Sequence, residues 1–121
     1  MTLDYLDFDF SEDADGHGSF DAMASAAPAQ LPALQAEVLR VLDWARREFG
    51  ARRPLDEGGD WDCELQGVQE VATPLDVGWD PAAGRLQLAP GAAGAPRTTL
   101  SLTLGGTPQF CAAFRAEFEI G

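Results

Sequence analysis

The sequence predicts an α+β fold: a mostly antiparallel sheet of about five strands with two helices packed on one face, in the order β-α-β-β-β-β-α. Three observations carry this reading. Several short runs alternate apolar and polar residues, the period of strands covered on one side only. One long stretch repeats its apolar residues at helical spacing, and a shorter stretch does so near the C-terminal end. Segments rich in Gly and Pro separate these runs. At 121 residues the chain fits a single domain spanning 1–121, long enough to bury a core without disulfides or a structural metal.

Residues 3–10 alternate, with Leu6, Phe8 and Phe10 facing one way and Tyr5, Asp7 and Asp9 the other, which predicts a half-buried strand. Residues 11–19 read as a polar loop, after which Ser19 caps a short helical turn through Phe20 and Met23. Pro32 opens a helix whose stripe is Leu34, Val38, Val41, Leu42, Ala45 and Phe49, closed by Gly50. Glu37 with Arg40 and Asp43 with Arg47 form oppositely charged pairs on its outer side. Residues 61–71 return to alternation, with Trp61, Cys63, Leu65 and Val71 on one parity. Residues 75–88 form a hairpin about Asp80-Pro-Ala-Ala-Gly84, and 89–96 a mobile loop. Leu100, Leu102 and Leu104 mark the last strand. Thr107 and Pro108 then open a short helix lined by Phe110, Phe114 and Phe118.

Twenty acidic residues face eight basic ones, a net charge of −12. Such a surface repels phosphates, so neither nucleic acid nor an anionic membrane is an expected partner. A basic protein, or a second copy of the chain, fits better. No stretch reaches the roughly 18 apolar residues of a membrane span, and no basic leader precedes an apolar run. The two cysteines match no metal or redox spacing, so a reduced, cytoplasmic location is expected.

Chemistry-bearing groups concentrate at the N-terminal end. Asp7, Asp9, Asp13 and Asp15 form the candidate divalent-cation set. Asp13-Ala-Asp-Gly16 echoes a calcium loop, with Ser11, Asp13 and Asp15 at the first three ligand positions. The pattern fails at Gly18 and Ala22, where an apolar residue and a bidentate Glu are needed. Asp7 and Asp9 would share an open sheet face with Asp62 and Glu64 if the first strand lay beside 61–71. His17, the sole histidine, stands between two glycines, which do not supply the rigidity of a catalytic or metal-bound imidazole. Cys111, in the first turn of a helix, is the better placed thiol, although free cysteine is usually a buried packing residue. No phosphate-binding, dinucleotide-binding or nucleophile-elbow motif is present, and no cofactor or catalytic residue is expected. The candidate partner-binding set is Trp44 with Arg40 and Arg47: Trp44 falls off the apolar stripe, and five of the eight arginines lie within 40–53.

At Tyr5–Asp13 and Gly18–Ser25, with Val38–Ala45 and Gly106–Arg115, the chain resembles small acidic bacterial proteins without an assigned function. The resemblance implies a bacterial, cytosolic origin and no activity. Lysine is wholly absent and Ala, Gly and Pro are abundant, consistent with GC-rich coding. The function expected from the residues is a non-catalytic protein–protein interaction or accessory module. The alternative is a cation-binding, hydrolytic carboxylate site in the acidic segment.

Overall fold

The computed structural model describes residues 1–121 as an α+β fold. Its elements are β1 (Asp9–Glu12), β2 (Gly18–Ala26), α1 (Leu31–Phe49), β3 (Trp61–Glu70), β4 (Leu75–Asp80), β5 (Arg85–Pro90), β6 (Arg97–Gly106) and α2 (Pro108–Glu117). Four strands form one antiparallel sheet in the order β1-β2-β6-β3, and β4 and β5 form a separate antiparallel pair. Even positions of β2 (Phe20, Ala22, Ala24, Ala26) and of β6 (Leu102, Leu104) are buried beneath the helices, whereas Asp21 and Met23 between them are exposed. Both helices therefore cover one face, as alternation on a single side requires.

Helix α1 buries Leu34, Val38, Val41, Trp44 and Ala45. Pro32 stands in its first turn, and Gly50 ends it at φ 80°, a conformation that glycine adopts without strain. Helix α2 starts where Thr107 Oγ1 accepts from the Phe110 amide, with Pro108 in the first turn. Its Phe110, Phe114 and Phe118 meet Trp44 with ring centroids 6.1, 5.8 and 5.5 Å apart. The close approach of α2 to the sheet needs glycine at a specific pair: Gly18 and Gly106 are register partners. A Cβ on Gly18 would stand 2.5 Å from Cys111 Sγ, and one on Gly106 would stand 2.2 Å from the Phe110 ring.

The N-terminal region departs from the expected strand-then-turn. Leu6 and Phe8 do point into the core, but strand pairing begins only at Asp9. The amides of Asp4, Tyr5 and Leu6 are instead engaged by the Glu37 carboxylate, at 3.0, 3.0 and 2.7 Å. Glu37 is 3 % exposed, so the expected surface pair with Arg40 does not form, and neither does Asp43 with Arg47. Residues 18–26 form a strand rather than a capped helical turn. Phe20 and Met23 match helical spacing, but Met23 is 69 % exposed, and the true signal is the small-residue alternation Phe20, Ala22, Ala24, Ala26. Alanine is a weak strand former, so the pattern is hard to read. The small side chains let the helices approach the sheet. The element order is thus β-β-α-β-β-β-β-α, with six strands.

The β4–β5 pair projects beyond the main sheet as an arm. Asp80 closes its turn by accepting from the Ala82 and Ala83 amides, and Gly84 adopts φ 66°. Residues 91–96 are not a free loop. The Gly91 amide donates to the Pro74 carbonyl and the Gly94 amide to that of Ala72, each at 2.8 Å, while Ala89 and Pro90 belong to β5. The segments 71–74 and 91–96 differ in length, which interrupts the ladder between arm and sheet. No helix is long and apolar enough to cross a membrane.

The Glu37 contacts set a stability test. Glu37→Ala is expected to destabilise the fold by roughly 2–4 kcal/mol, because three amides lose a charged acceptor away from water. Amide exchange at residues 4–6 should accelerate well beyond that of β6. A loss under about 0.5 kcal/mol in denaturant titration, the range of ordinary surface changes, would show that the segment is held by other contacts.

Candidate functional site

The four acids of the candidate cation set separate into two places. Asp13 and Asp15 lie in the β1–β2 turn, where the Asp13 amide donates to the His17 carbonyl and Gly16 adopts φ 83°. Asp13 Oδ1 accepts from the amides of Asp15 (2.9 Å) and His17 (3.0 Å), so this carboxylate braces its own turn. The other Asp13 oxygen lies 3.9 Å from His17 Nδ1, and ligand atoms of Asp13, Asp15 and His17 fall within 4.8 Å of one another. The turn leads into β2, with Ala22 on the core side, so nothing follows it in the manner of a calcium-loop helix.

Asp7 and Asp9 lie instead over the open face of the sheet, beside Asp21, which is the register partner of Asp9. Strands β1 and β3 occupy opposite edges. Asp7 and Asp9 therefore share that face with Asp62 and Glu64 without adjoining them, and a ridge of Ser101 and Thr103 runs between. Thr103 Oγ1 donates to Asp21 at 2.7 Å. No arginine lies within ion-pair distance of any carboxylate in the chain. The open face is thus rich in acidic residues that form no ion pair, with Arg52 lining the same hollow as Asp62 and Glu64.

The expected partner-binding cluster loses its aromatic anchor to the core. Trp44 is 7 % exposed and sits among Phe49, Phe110, Phe114 and Phe118, while Arg40 and Arg47, its neighbours one turn away along α1, are exposed. The apolar stripe of α1 alone leaves Trp44 at its margin. α2 supplies the missing cover, a tertiary contact that α1's own pattern does not contain.

The arm carries the surface that residue-by-residue reading missed. Leu75, Val77 and Trp79 of β4 face Pro90, Leu88 and Leu86 of β5, so every large apolar side chain of the pair lies on one face. Trp79 is 73 % exposed, and the four aliphatic residues beside Pro90 are each more than half exposed. The other face bears Asp76, Gln87, Asp80 and Arg85. The signal was present in sequence as the matched alternation of 75–79 and 86–90, but a hairpin is normally assumed to lie on its own sheet. A second apolar surface is the groove between α1 and β3, floored by Leu39, Leu42 and Leu65 and rimmed by Arg46 and Arg52. Arg52 also donates to the Cys63 carbonyl (3.0 Å) and Sγ (3.3 Å), a contact that raises its already high pKa.

Cys111 is buried against the sheet, with Sγ 3.5 Å from the Gly106 carbonyl. Burial pushes its thiol pKa up, and the nearby Glu12 charge adds to the effect, outweighing the bond from Gly18 and the charge of Arg115. A helix N-terminus would lower the value, but desolvation prevails. Comparison with family models, characterised proteins and solved structures gave no match to the chain.

The raised pKa has a pH consequence. The folded state holds the Cys111 proton more tightly than the unfolded chain. Its contribution is therefore intact below the unfolded thiol value of about 8.5 and is lost as pH rises through the folded value. The denaturation midpoint is expected to fall more steeply above pH ~8.5 in the wild type than in Cys111→Ala, with parallel curves counting against it. Native protein should also expose only Cys63 to a thiol reagent.

Proposed function

We propose that the chain is a non-catalytic protein-interaction module of the bacterial cytoplasm. One observation carries this reading: the arm holds a continuous apolar face away from the core, where it contributes nothing to burial within the chain. An isolated two-stranded hairpin is marginal in water, and an apolar face of this kind is a liability unless it meets another surface. The acidic open face, with Asp7, Asp9, Asp21, Asp62 and Glu64, favours a basic partner there through complementarity that salt weakens. His17 is partly exposed in a turn and Cys111 is buried and protonated, so neither supports a nucleophile–base pairing.

The paired substitution Trp79→Ser and Leu88→Ser tests this. Stability should change by less than about 1 kcal/mol, since neither residue belongs to the core. Proteins retained by the wild-type chain from bacterial lysate should be lost by the variant, and retention through the open face should weaken as salt rises. Identical captured sets for wild type and variant would sink the proposal.

The second reading, a divalent-cation site, rests on the proximity of Asp13, Asp15 and His17. It requires a rise of several degrees in Tm with millimolar Ca²⁺, Mg²⁺ or Mn²⁺ that Asp15→Asn abolishes. No rise would remove this reading and leave the interaction module.

A further inference from the structure

Apart from Met1 and Met23, the nine exposed large apolar side chains of the molecule all lie on the arm, on β3 and its continuation Val71, or at Leu39 in the α1–β3 groove. At roughly 100 Å² each, they total on the order of 900 Å² over the two faces of this region, close to the roughly 800 Å² per partner of a stable interface. The same region contains an open sheet edge. Strand β3 pairs only with β6. The Trp61 carbonyl accepts from the Arg53 amide and the Cys63 carbonyl from Arg52, both on the outer side. By the two-residue period of a strand, Leu65, Gly67 and Gln69 also direct their N–H and C=O groups outward, and there nothing meets them.

From this we infer that the chain forms a two-fold dimer through antiparallel pairing of β3 edges about Val68, with the arm of each copy lying against the α1–β3 groove of the other. This rests on the interaction reading above and names the occupant of the arm. Charge selects the register. Centring the pair on Gln66 or Gly67 sets Glu70 against Asp62 or Glu64 of the second copy, like charges that destabilise neighbouring strands. Centring on Val68 sets Val68 against its counterpart, Leu65 against Val71 and Gln66 against Glu70, covering three exposed apolar residues with no acidic pair along β3. The same register carries Leu75 to the level of Trp61 of the second copy, where the groove opens. Each copy supplies both parts, so the contact closes on itself and does not propagate.

Sedimentation of the full chain at micromolar concentration is expected to give a dimer. Val68→Glu, which brings two carboxylates together at the axis, should weaken association at least tenfold while leaving the circular dichroism spectrum unchanged. In a Cys63→Ser background, Val68→Cys should form a disulfide-linked dimer under mild oxidation, whereas Met23→Cys, on the open face, should not. A dimer in which Val68→Cys fails to cross-link, or Val68→Glu associates normally, would overturn the assignment. So would a monomeric wild type. If that monomer still lost its lysate partners on Trp79→Ser with Leu88→Ser, the interaction reading would stand without the second copy. If it lost none, both would fall.

Discussion

Glu37 places a carboxylate in the apolar layer between α1 and the N-terminal segment, and the arrangement of that side of the molecule depends on it. Its two oxygens receive the amides of Asp4, Tyr5 and Leu6, with no cation nearby. A buried charge is tolerable when oriented dipoles replace water around it. Here the dipoles belong to three successive residues, which fixes the path of the backbone. That path delivers Leu6 and Phe8 into the core, where Phe8 meets Phe114 at 5.3 Å and Phe20 at 6.5 Å. It also delays strand pairing to Asp9, since these amides are already satisfied. The layer of α1 and α2 is thus closed on one flank by an irregular segment whose backbone at residues 4–6 is held by the Glu37 carboxylate.

The opposite flank is closed by aromatic packing. Trp44 lies between the two helices, Trp61 stacks on Phe110, and the Trp61 indole N–H donates to the Gly50 carbonyl at 2.9 Å. That bond ties the end of α1 to the start of β3, so the groove between these elements has a rigid floor. The N-terminal ammonium and Glu119 add a smaller closure. Thr2 donates to the Glu119 carboxylate and, with the terminal charge, holds its pKa below the usual range. This contribution persists above the ordinary carboxylate pKa and fades as pH falls through the lowered one.

Elements with a strong local period were legible in the sequence: both helices with their Pro starts, β3, the arm hairpin and β6. What escaped had no local signature. In β2 the alternation was carried by alanines, whose weak strand preference let the Phe20–Met23 spacing suggest a helix. Glu37 matched a surface pair with Arg40 by spacing, and only the tertiary fold brings three amides to it. Trp44 sat at the margin of its stripe because the second helix was not part of the pattern being read. Of the candidate site, the four acids expected together lie in two places. Asp13 and Asp15 lie in a turn that the Asp13 carboxylate braces, Asp7 and Asp9 lie over the sheet face, and chain distance alone does not separate those places.

None of the residues that build the core lies between Glu64 and Thr99, almost a third of the chain. The arm and the strand ends that carry it are therefore free of the packing constraints that bind the scaffold. Val77, Trp79 and Leu88 are exposed and outside the core, so substitutions there leave the packing of the scaffold intact. Changes at Phe20 or Phe114 do the reverse. A lineage of such chains can diversify its contacts quickly on a frame that drifts slowly, much as variable loops diversify on a conserved sandwich. Related chains should then align well over the helices and the sheet, and poorly across the projecting hairpin.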